Sequence, residues 1–184
     1  MTRTRQWTYD DYASLPDDGN HYEVIDGVVC MTTAAGTRHQ YVVGKLHAAL
    51  MEYVEQERLG IVFHDVDVLF VSGQYLRPDI VFIPKDRMSG VIERGIESKP
   101  GLVVEVLSPS SHHYDRVLKP RRYRDFGVDE YWVVDPVDAI VEQYRLSQPA
   151  DTAIIVADAL RWQPDPKVPA LELSLDLIFQ DFER

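Results

Sequence analysis

One acidic residue lies inside an apolar run of the sequence that is typical of a central strand. The run is Leu102–Leu107, and Glu105 is its only charged member. Moving an ionised carboxylate out of water is costly unless a cation or hydrogen-bond donors compensate it. A second acid, Asp79, follows an Arg-Pro pair and directly precedes the apolar run Ile80–Ile83. Two acids beside buried strands indicate a site for a hard divalent cation.

The pairing of these two strands decides whether the acids can act together. The runs are separated by the polar connection Pro84–Gly101. If the strands pair antiparallel, the start of the first lies opposite the end of the second. This arrangement predicts that Asp79 lies beside Glu105.

The N-terminal half predicts a hairpin followed by a long helix. Asp26-Gly27 separates the apolar runs Tyr22–Ile25 and Val28–Met31, and Asp-Gly is a strong hairpin signal. Thr37 and Gln40 have the spacing of a capping box for a helix that ends before Gly60, with His39 in its first turn on the buried side. The period-two alternation over Val62–Val71 then predicts one strand.

The C-terminal half predicts a helix, a second hairpin and short edge strands. The helix spans Tyr114–Phe126, and Pro120 indicates that it begins near this proline or is kinked at Lys119. The hairpin strands are Tyr131–Asp135 and Ile140–Leu146. The expected edge strands are Ala153–Ala157, Leu160–Trp162 and Leu171–Leu173, and Ser174 is expected to cap a last helical turn.

Length and composition predict one domain over residues 1–184, with a core over about residues 20–146 and C-terminal strands and a short helix over residues 147–184. The single cysteine, Cys30, cannot form an intrachain disulfide. No apolar stretch reaches membrane-spanning length and no signal peptide is recognisable, which predicts a cytoplasmic protein without membrane contact.

The formal net charge of −11 argues against broad electrostatic attraction to nucleic acid. One segment differs from the rest of the chain because it is densely basic. Its cationic residues are Arg116, Lys119, Arg121, Arg122 and Arg124. An acidic body with one basic entrance to its site is therefore one expectation.

Five blocks of the sequence, in this order, resemble the PD-(D/E)XK nuclease superfamily and in particular its Uma-type branch of restriction endonucleases. The blocks are Tyr22–Gly27, Arg77–Val81, Val104–Ser110, Asp115 with Lys119, and Gly127–Pro136. The resemblance implies an α/β fold: a restriction-endonuclease-like core with a mixed central β-sheet flanked by helices and an N-terminal hairpin. It also implies hydrolysis of DNA phosphodiester bonds.

The resemblance further implies a magnesium site, for which Mn²⁺ is a plausible substitute. Asp79, Glu105 and the backbone carbonyl of Val106 are its implied ligands. The superfamily pattern places a lysine two residues after the glutamate, where this chain has Leu107. In the Uma-type branch a relocated lysine matches Lys119.

Two further residues match recurrent family positions. Glu23 is implied as a third acid, and His39 as a contact to metal-bound water or phosphate. The resemblance implies double-stranded DNA as the partner and a homodimer, because cutting both strands needs two sites related by symmetry.

Each residue also has a structural explanation. Asp79 could cap a turn, and Glu105 could form a buried ion pair with Arg77 or Lys119. Glu23 could be a solvated strand residue, and His39 a helix-terminus histidine. The rival function is a non-catalytic nucleic-acid-binding or regulatory module that retains the nuclease fold, and hydrolysis of RNA or another phosphodiester also stays open.

Overall fold

The computed structural model describes residues 7–71, 73–109, 111–147 and 153–180. Its helices are α1 (Tyr9–Ala13), α2 (Thr37–Gln56), α3 (Lys119–Asp125) and α4 (Asp176–Phe179), with a 3-10 helix over Lys85–Gly90 and a π-helical turn over Tyr114–Leu118. The first strands are β1 (His21–Ile25), β2 (Val28–Thr32), β3 (Gly60–His64), β4 (Val68–Val71), β5 (Gln74–Leu76), β6 (Ile80–Pro84) and β7 (Val91–Ile92). The remaining strands are β8 (Gly95–Ile96), β9 (Leu102–Val106), β10 (Glu130–Asp135), β11 (Ile140–Arg145), β12 (Ile154–Val156), β13 (Ala159–Trp162) and β14 (Leu171–Ser174).

The central sheet has the strand order β12-β11-β10-β9-β6-β3 in the described part of the chain. β9 and β10 run parallel, whereas the other neighbours pair antiparallel, so the sheet is mixed. Parallel neighbours need a crossover connection, and α3 lies in the segment that joins β9 to β10. This agrees with the predicted α/β class.

Both faces of the central sheet are covered. On one face α2, β13 and α4 pack against a core that includes Val104 and Trp132. On the other face, Val103 and Val133 pack with Tyr123 of α3 and with residues of a second sheet, whose order is β2-β1-β5-β4-β8-β7. Because side chains alternate along a strand, Glu105 shares the second face with Val103.

The predicted antiparallel pairing of the acidic strands is confirmed. β6 pairs with β9 in the register Ile80 to Val104 and Val81 to Val103. Continuing this register by one residue puts Asp79 opposite Glu105. The carboxylates therefore start from facing backbone positions at one end of the central sheet.

The single strand predicted over Val62–Val71 is wrong. Asp65 has a φ of 51°, in the left-handed region, and the chain leaves the central sheet there.

 Residues with a side chain seldom adopt such a φ. β3 consequently pairs with β6 in the central sheet, while β4 pairs with β5 and β8 in the second sheet.

Both predicted side-chain caps are also wrong. The residue that caps α2 is Gly36, and no side chain caps it, so Thr37 is the first helical residue. Leu175 takes the capping position of α4, where Ser174 was expected. Met1–Gln6 and Ser110 of the Val104–Ser110 block lie outside the described residues.

In the helices that are described, none is long and apolar enough to cross a membrane.

Candidate active site

Asp79 is fixed by the strand that carries Glu105. The backbone N–H of Val106 donates a hydrogen bond of 2.7 Å to Asp79 Oδ2. Because Asp79 precedes β6 and Val106 ends β9, this bond joins the two strands at the end where the acids lie. The carboxylate is therefore held in one orientation towards the face that carries Glu105.

Lys119 lies at the centre of a buried group of acids. Its Nζ is 2.8 Å from Glu105 Oε1, 3.0 Å from Glu23 Oε2 and 3.2 Å from Asp115 Oδ1. All four residues are buried, with Glu105 and Lys119 each 4% exposed. Three carboxylates thus surround one ammonium group, and we call these four residues the lysine cluster.

Two secondary-structure features bring Lys119 to this position. A π-helical turn ends at Leu118 and α3 begins at Lys119, with Pro120 in the first turn of α3. Proline is tolerated there because the first N–H groups of a helix have no partner within the helix. Of the two geometries predicted for this segment, a helix that begins near Pro120 agrees with the structure, whereas the π-helical turn before it was not predicted.

The electrostatics of the lysine cluster follow from its burial. Burial disfavours the charged form of Lys119, yet the carboxylates of Glu105, Glu23 and Asp115 hold the pKa of Lys119 well above its usual range. Burial also raises the pKa of Glu105 well above its usual range, although the Lys119 charge opposes this shift. Lys119 is therefore a permanent cation at neutral pH.

His39 contacts the other acid of the site. Its Nε2 lies 3.2 Å from Asp79 Oδ2, and only 11% of its side chain is exposed. Burial lowers the pKa of His39, but the hydrogen bond and the charge of Asp79 outweigh burial and raise the pKa above its ordinary value. Nδ1 of His39 is buried without a hydrogen-bond partner among the described residues.

The predicted site residues line one small cavity of about 60 Å³. Its lining includes all the residues predicted from the sequence, which are Glu23, His39, Asp79, Glu105, Val106 and Lys119. A cavity of this size has room for an ion and a few waters. It is too small for a whole nucleotide, since ligand pockets usually measure about 300–1,000 Å³.

The donors in this cavity suit a hard cation, because the contacts described for Asp79 and Glu105 involve only one oxygen of each carboxylate. Among the described residues, no set of three or more His, Cys, Asp and Glu side chains is arranged to hold a metal by itself. Magnesium keeps several waters and needs only one or two carboxylates. Asp79 and Glu105, with the Val106 carbonyl, provide this number of oxygen donors, so the residues fit the cation.

The basic entrance expected from the sequence is largely neutralised. Arg116 contacts Asp135 at 2.9 Å and Glu142 at 2.7 Å. Arg122 pairs with Asp26 and with Asp125, and Lys119 is buried in its cluster. The expectation is therefore wrong for these three residues, because each of them pairs with at least one acid from a distant part of the chain.

Two contacts in the site were not predicted from the sequence. The hydroxyl of Tyr123 donates a 2.9 Å hydrogen bond to Glu105 Oε1. The backbone N–H of Arg77 donates a 3.0 Å hydrogen bond to Glu23 Oε1. Tyr123 lies four residues after Lys119, and this i, i+4 spacing was a usable signal because it puts both side chains on one helix face.

Comparison with known proteins identifies the family. The family model Uma2, described as "Putative restriction endonuclease", matches residues 9–176. An uncharacterized protein of Synechocystis sp. is 26% identical over 166 residues, which are 86% of this chain and 83% of that protein.

A solved structure shows the same fold. It is described as a putative nuclease belonging to DUF820 from Anabaena variabilis, and it matches with a TM-score of 0.70 at 22% identity over 94% of this chain and 97% of that chain. This similarity confirms the predicted fold class. Because the family model spans most of the sequence, the chain belongs to the Uma2 family, a family of restriction-endonuclease-like nucleases.

Proposed function

We propose that the protein is a Mg²⁺-dependent endonuclease that hydrolyses phosphodiester bonds of DNA. The observation that carries the proposal is the meeting of Asp79, Glu105 and Val106 at one cavity, beside a cluster whose carboxylates outnumber its ammonium group. An excess of buried negative charge is costly without a cation. Family membership supports the reaction class.

The proposed ligands are the two carboxylates and the Val106 carbonyl. Asp79 Oδ2 already accepts the Val106 N–H, and Glu105 Oε1 accepts from Lys119 and Tyr123. These bonds orient each carboxylate and leave its second oxygen for the cation. When bound, Mg²⁺ would lower the pKa of water and offset negative charge on the phosphoryl oxygens.

Lys119 has a positioning role in this proposal. Its raised pKa excludes it as a proton acceptor at neutral pH. Its contacts instead fix the rotamers of Glu105 and Glu23, and its charge makes ionisation of both carboxylates less costly. His39 is proposed to position water or phosphate beside Asp79, since its imidazole is the group that contacts this acid.

The assembly and location belong to the same proposal. Double-stranded DNA is the proposed substrate and a homodimer the proposed assembly, because two symmetry-related sites can cut two strands. The cytoplasm is the proposed compartment, since a reducing environment suits the unpaired Cys30.

One observation favours the rival function. Lys119 is fully engaged with three carboxylates, and Leu107 stands where the superfamily pattern has its lysine. A site without a free lysine could bind nucleic acid without cutting it efficiently. The rival is therefore a non-catalytic nucleic-acid-binding or regulatory module.

Metal binding and cleavage separate the two functions. Asp79→Asn and Glu105→Gln should each weaken Mn²⁺ binding, measured by electron paramagnetic resonance, and abolish Mg²⁺-dependent cleavage of plasmid DNA. Asp86→Asn and Glu52→Gln make the same chemical changes at exposed positions and should behave as wild type.

Three other outcomes are informative. Mn²⁺ binding without cleavage of DNA or RNA would favour the non-catalytic module. Cleavage of RNA alone would correct the substrate. Unchanged metal binding in both site variants would refute the proposed metal site.

A further inference from the structure

A larger groove adjoins the small cavity lined by Asp79, Glu105 and Lys119, which we call the catalytic cavity. Its volume is about 560 Å³, within the range of pockets that hold small organic groups. Its apolar wall consists of Phe63, Val66, Val91, Ile92 and Ile96. The catalytic cavity can hold an ion but no nucleoside, so a substrate bound there must extend into a neighbouring space.

Arg77 lies at the boundary, because it lines both the groove and the catalytic cavity. Its Nε donates a 2.7 Å hydrogen bond to Asp67 Oδ1, and the hydroxyl of Tyr12 donates to the same oxygen at 2.8 Å. Its backbone N–H is bound to Glu23. The side chain is thus held at its base and at Nε, and 37% of it is exposed.

The terminal nitrogens of Arg77 are the donors available to a phosphate. No hydrogen bond from its Nη1 or Nη2 to another described residue is formed. Lys119, by contrast, is surrounded by three carboxylates. A guanidinium group presents paired donors that match two phosphate oxygens.

The charges in the groove limit where a phosphate can lie. Asp65, Asp67 and Glu93 also line it, and Asp65 is 58% exposed at its side chain. The second arginine of the groove, Arg94, is paired with Glu97. A phosphate in the middle of the groove would be repelled. A nucleoside suits it better, because apolar walls contact a base and carboxylates accept hydrogen bonds from base amino groups.

We propose that this groove binds the nucleotide next to the scissile phosphate, and that Arg77 binds that phosphate at the boundary with the catalytic cavity. The inference rests on the proposed function, since it assumes a phosphodiester at the acidic site. The occupant of the groove is a nucleoside unit of the same nucleic acid strand.

The first test measures binding without cleavage. A fluorescein-labelled duplex oligonucleotide is titrated with the protein in Ca²⁺ in place of Mg²⁺, and affinity is read by fluorescence anisotropy. Arg77→Gln should weaken binding about 10- to 100-fold, the loss expected for hydrogen bonds to a charged group. Arg87→Gln, with a similarly exposed side chain elsewhere on the protein, should change affinity less than about threefold. Equal effects of the two variants would overturn the proposal.

The second test does not depend on how Arg77→Gln folds. Ile92→Glu introduces a carboxylate at a wall residue that is 38% exposed, and Ile61→Glu makes the same change at a residue that is 42% exposed on β3. Ile92→Glu should weaken binding at least about fivefold relative to Ile61→Glu, because the new charge faces a bound nucleotide. Identical affinities would overturn the assignment of the groove.

The two proposals fail in different ways. A wild-type protein that binds the duplex through Arg77 but cleaves nothing would refute the hydrolase and support the groove. A wild-type protein that cleaves DNA while both groove variants bind normally would refute the groove and support the hydrolase.

Discussion

Replacing Lys119 by methionine tests whether its ammonium group offsets the free-energy cost of burying three carboxylates. Methionine keeps a long apolar stem but leaves Glu105, Glu23 and Asp115 without their shared cation. Removing one partner of a buried ion pair costs about 3–5 kcal/mol. At about 2–4 °C per kcal/mol for a chain of this size, the melting temperature should fall by about 6–20 °C.

The loss should depend on pH in a defined direction. Burial raises the pKa of Glu105, and without Lys119 the opposing effect of the ammonium group is also lost. A group whose pKa is higher in the folded state than in the unfolded state favours folding below the unfolded value, and this contribution disappears as pH rises through the folded value. The deficit of Lys119→Met should therefore be smaller at pH 5 than at pH 8.

The assay is thermal unfolding followed by circular dichroism, in EDTA, at pH 5 and pH 8. Lys167→Met removes an exposed lysine and should change the melting temperature by less than about 2 °C. A deficit below about 1 kcal/mol at pH 8 would contradict the reasoning, as would a deficit that grows when the pH is lowered.

Three smaller predictions concern the surroundings of the site. Tyr123→Phe removes a hydrogen bond to a buried carboxylate and should cost about 1.5–3 kcal/mol in urea denaturation; no change would contradict the role of the hydroxyl. Gly127→Ala forces a side chain into a φ of 75° and should cost about 1–2 kcal/mol, whereas Gly44→Ala, in a helix with open space around it, should stabilise the protein. The stability gap between wild type and His39→Gln should shrink as pH rises above about 6.5, because the raised pKa of His39 beside Asp79 contributes stability that is lost as the histidine deprotonates; a constant gap in melting temperature would refute this.

The acidic strand pair was predictable because two local signals agree there. Ile80–Ile83 and Leu102–Val106 are apolar at every position except Glu105, which is typical of strands buried on both faces. A run with one charged member restricts the possible pairings, because the charge needs a partner. The register that follows was confirmed.

The break at Asp65 was not predictable from periodicity. The alternation of Asp65 and Asp67 with Val66 and Val68 runs through the segment in which the chain passes from one sheet to the other. A period-two pattern reports that alternate side chains are buried, and both sheets bury them. The strands β5, β7 and β8, each of two or three residues, are too short to produce such a pattern.

The acidic partners of the basic segment could not be predicted from the sequence either. Counting charges along Arg116–Arg124 indicates an exposed positive surface. The acids that neutralise it, Asp26, Asp135 and Glu142, are supplied by strands or turns that only the tertiary fold brings close. Tyr123 is buried in the core, and its hydroxyl also binds Glu105.

The connection between β6 and β9 gives the protein a way to diversify. This stretch leaves the central sheet, contributes β7 and β8 to the second sheet, and returns to place Glu105. Its residues Val91–Ile96 form part of the groove, while Asp79 and Glu105, at the strand ends remote from the connection, are held opposite each other by the pairing of β6 with β9. Sequence drift in the connection can therefore alter what the groove accepts and leave the acidic pair in register.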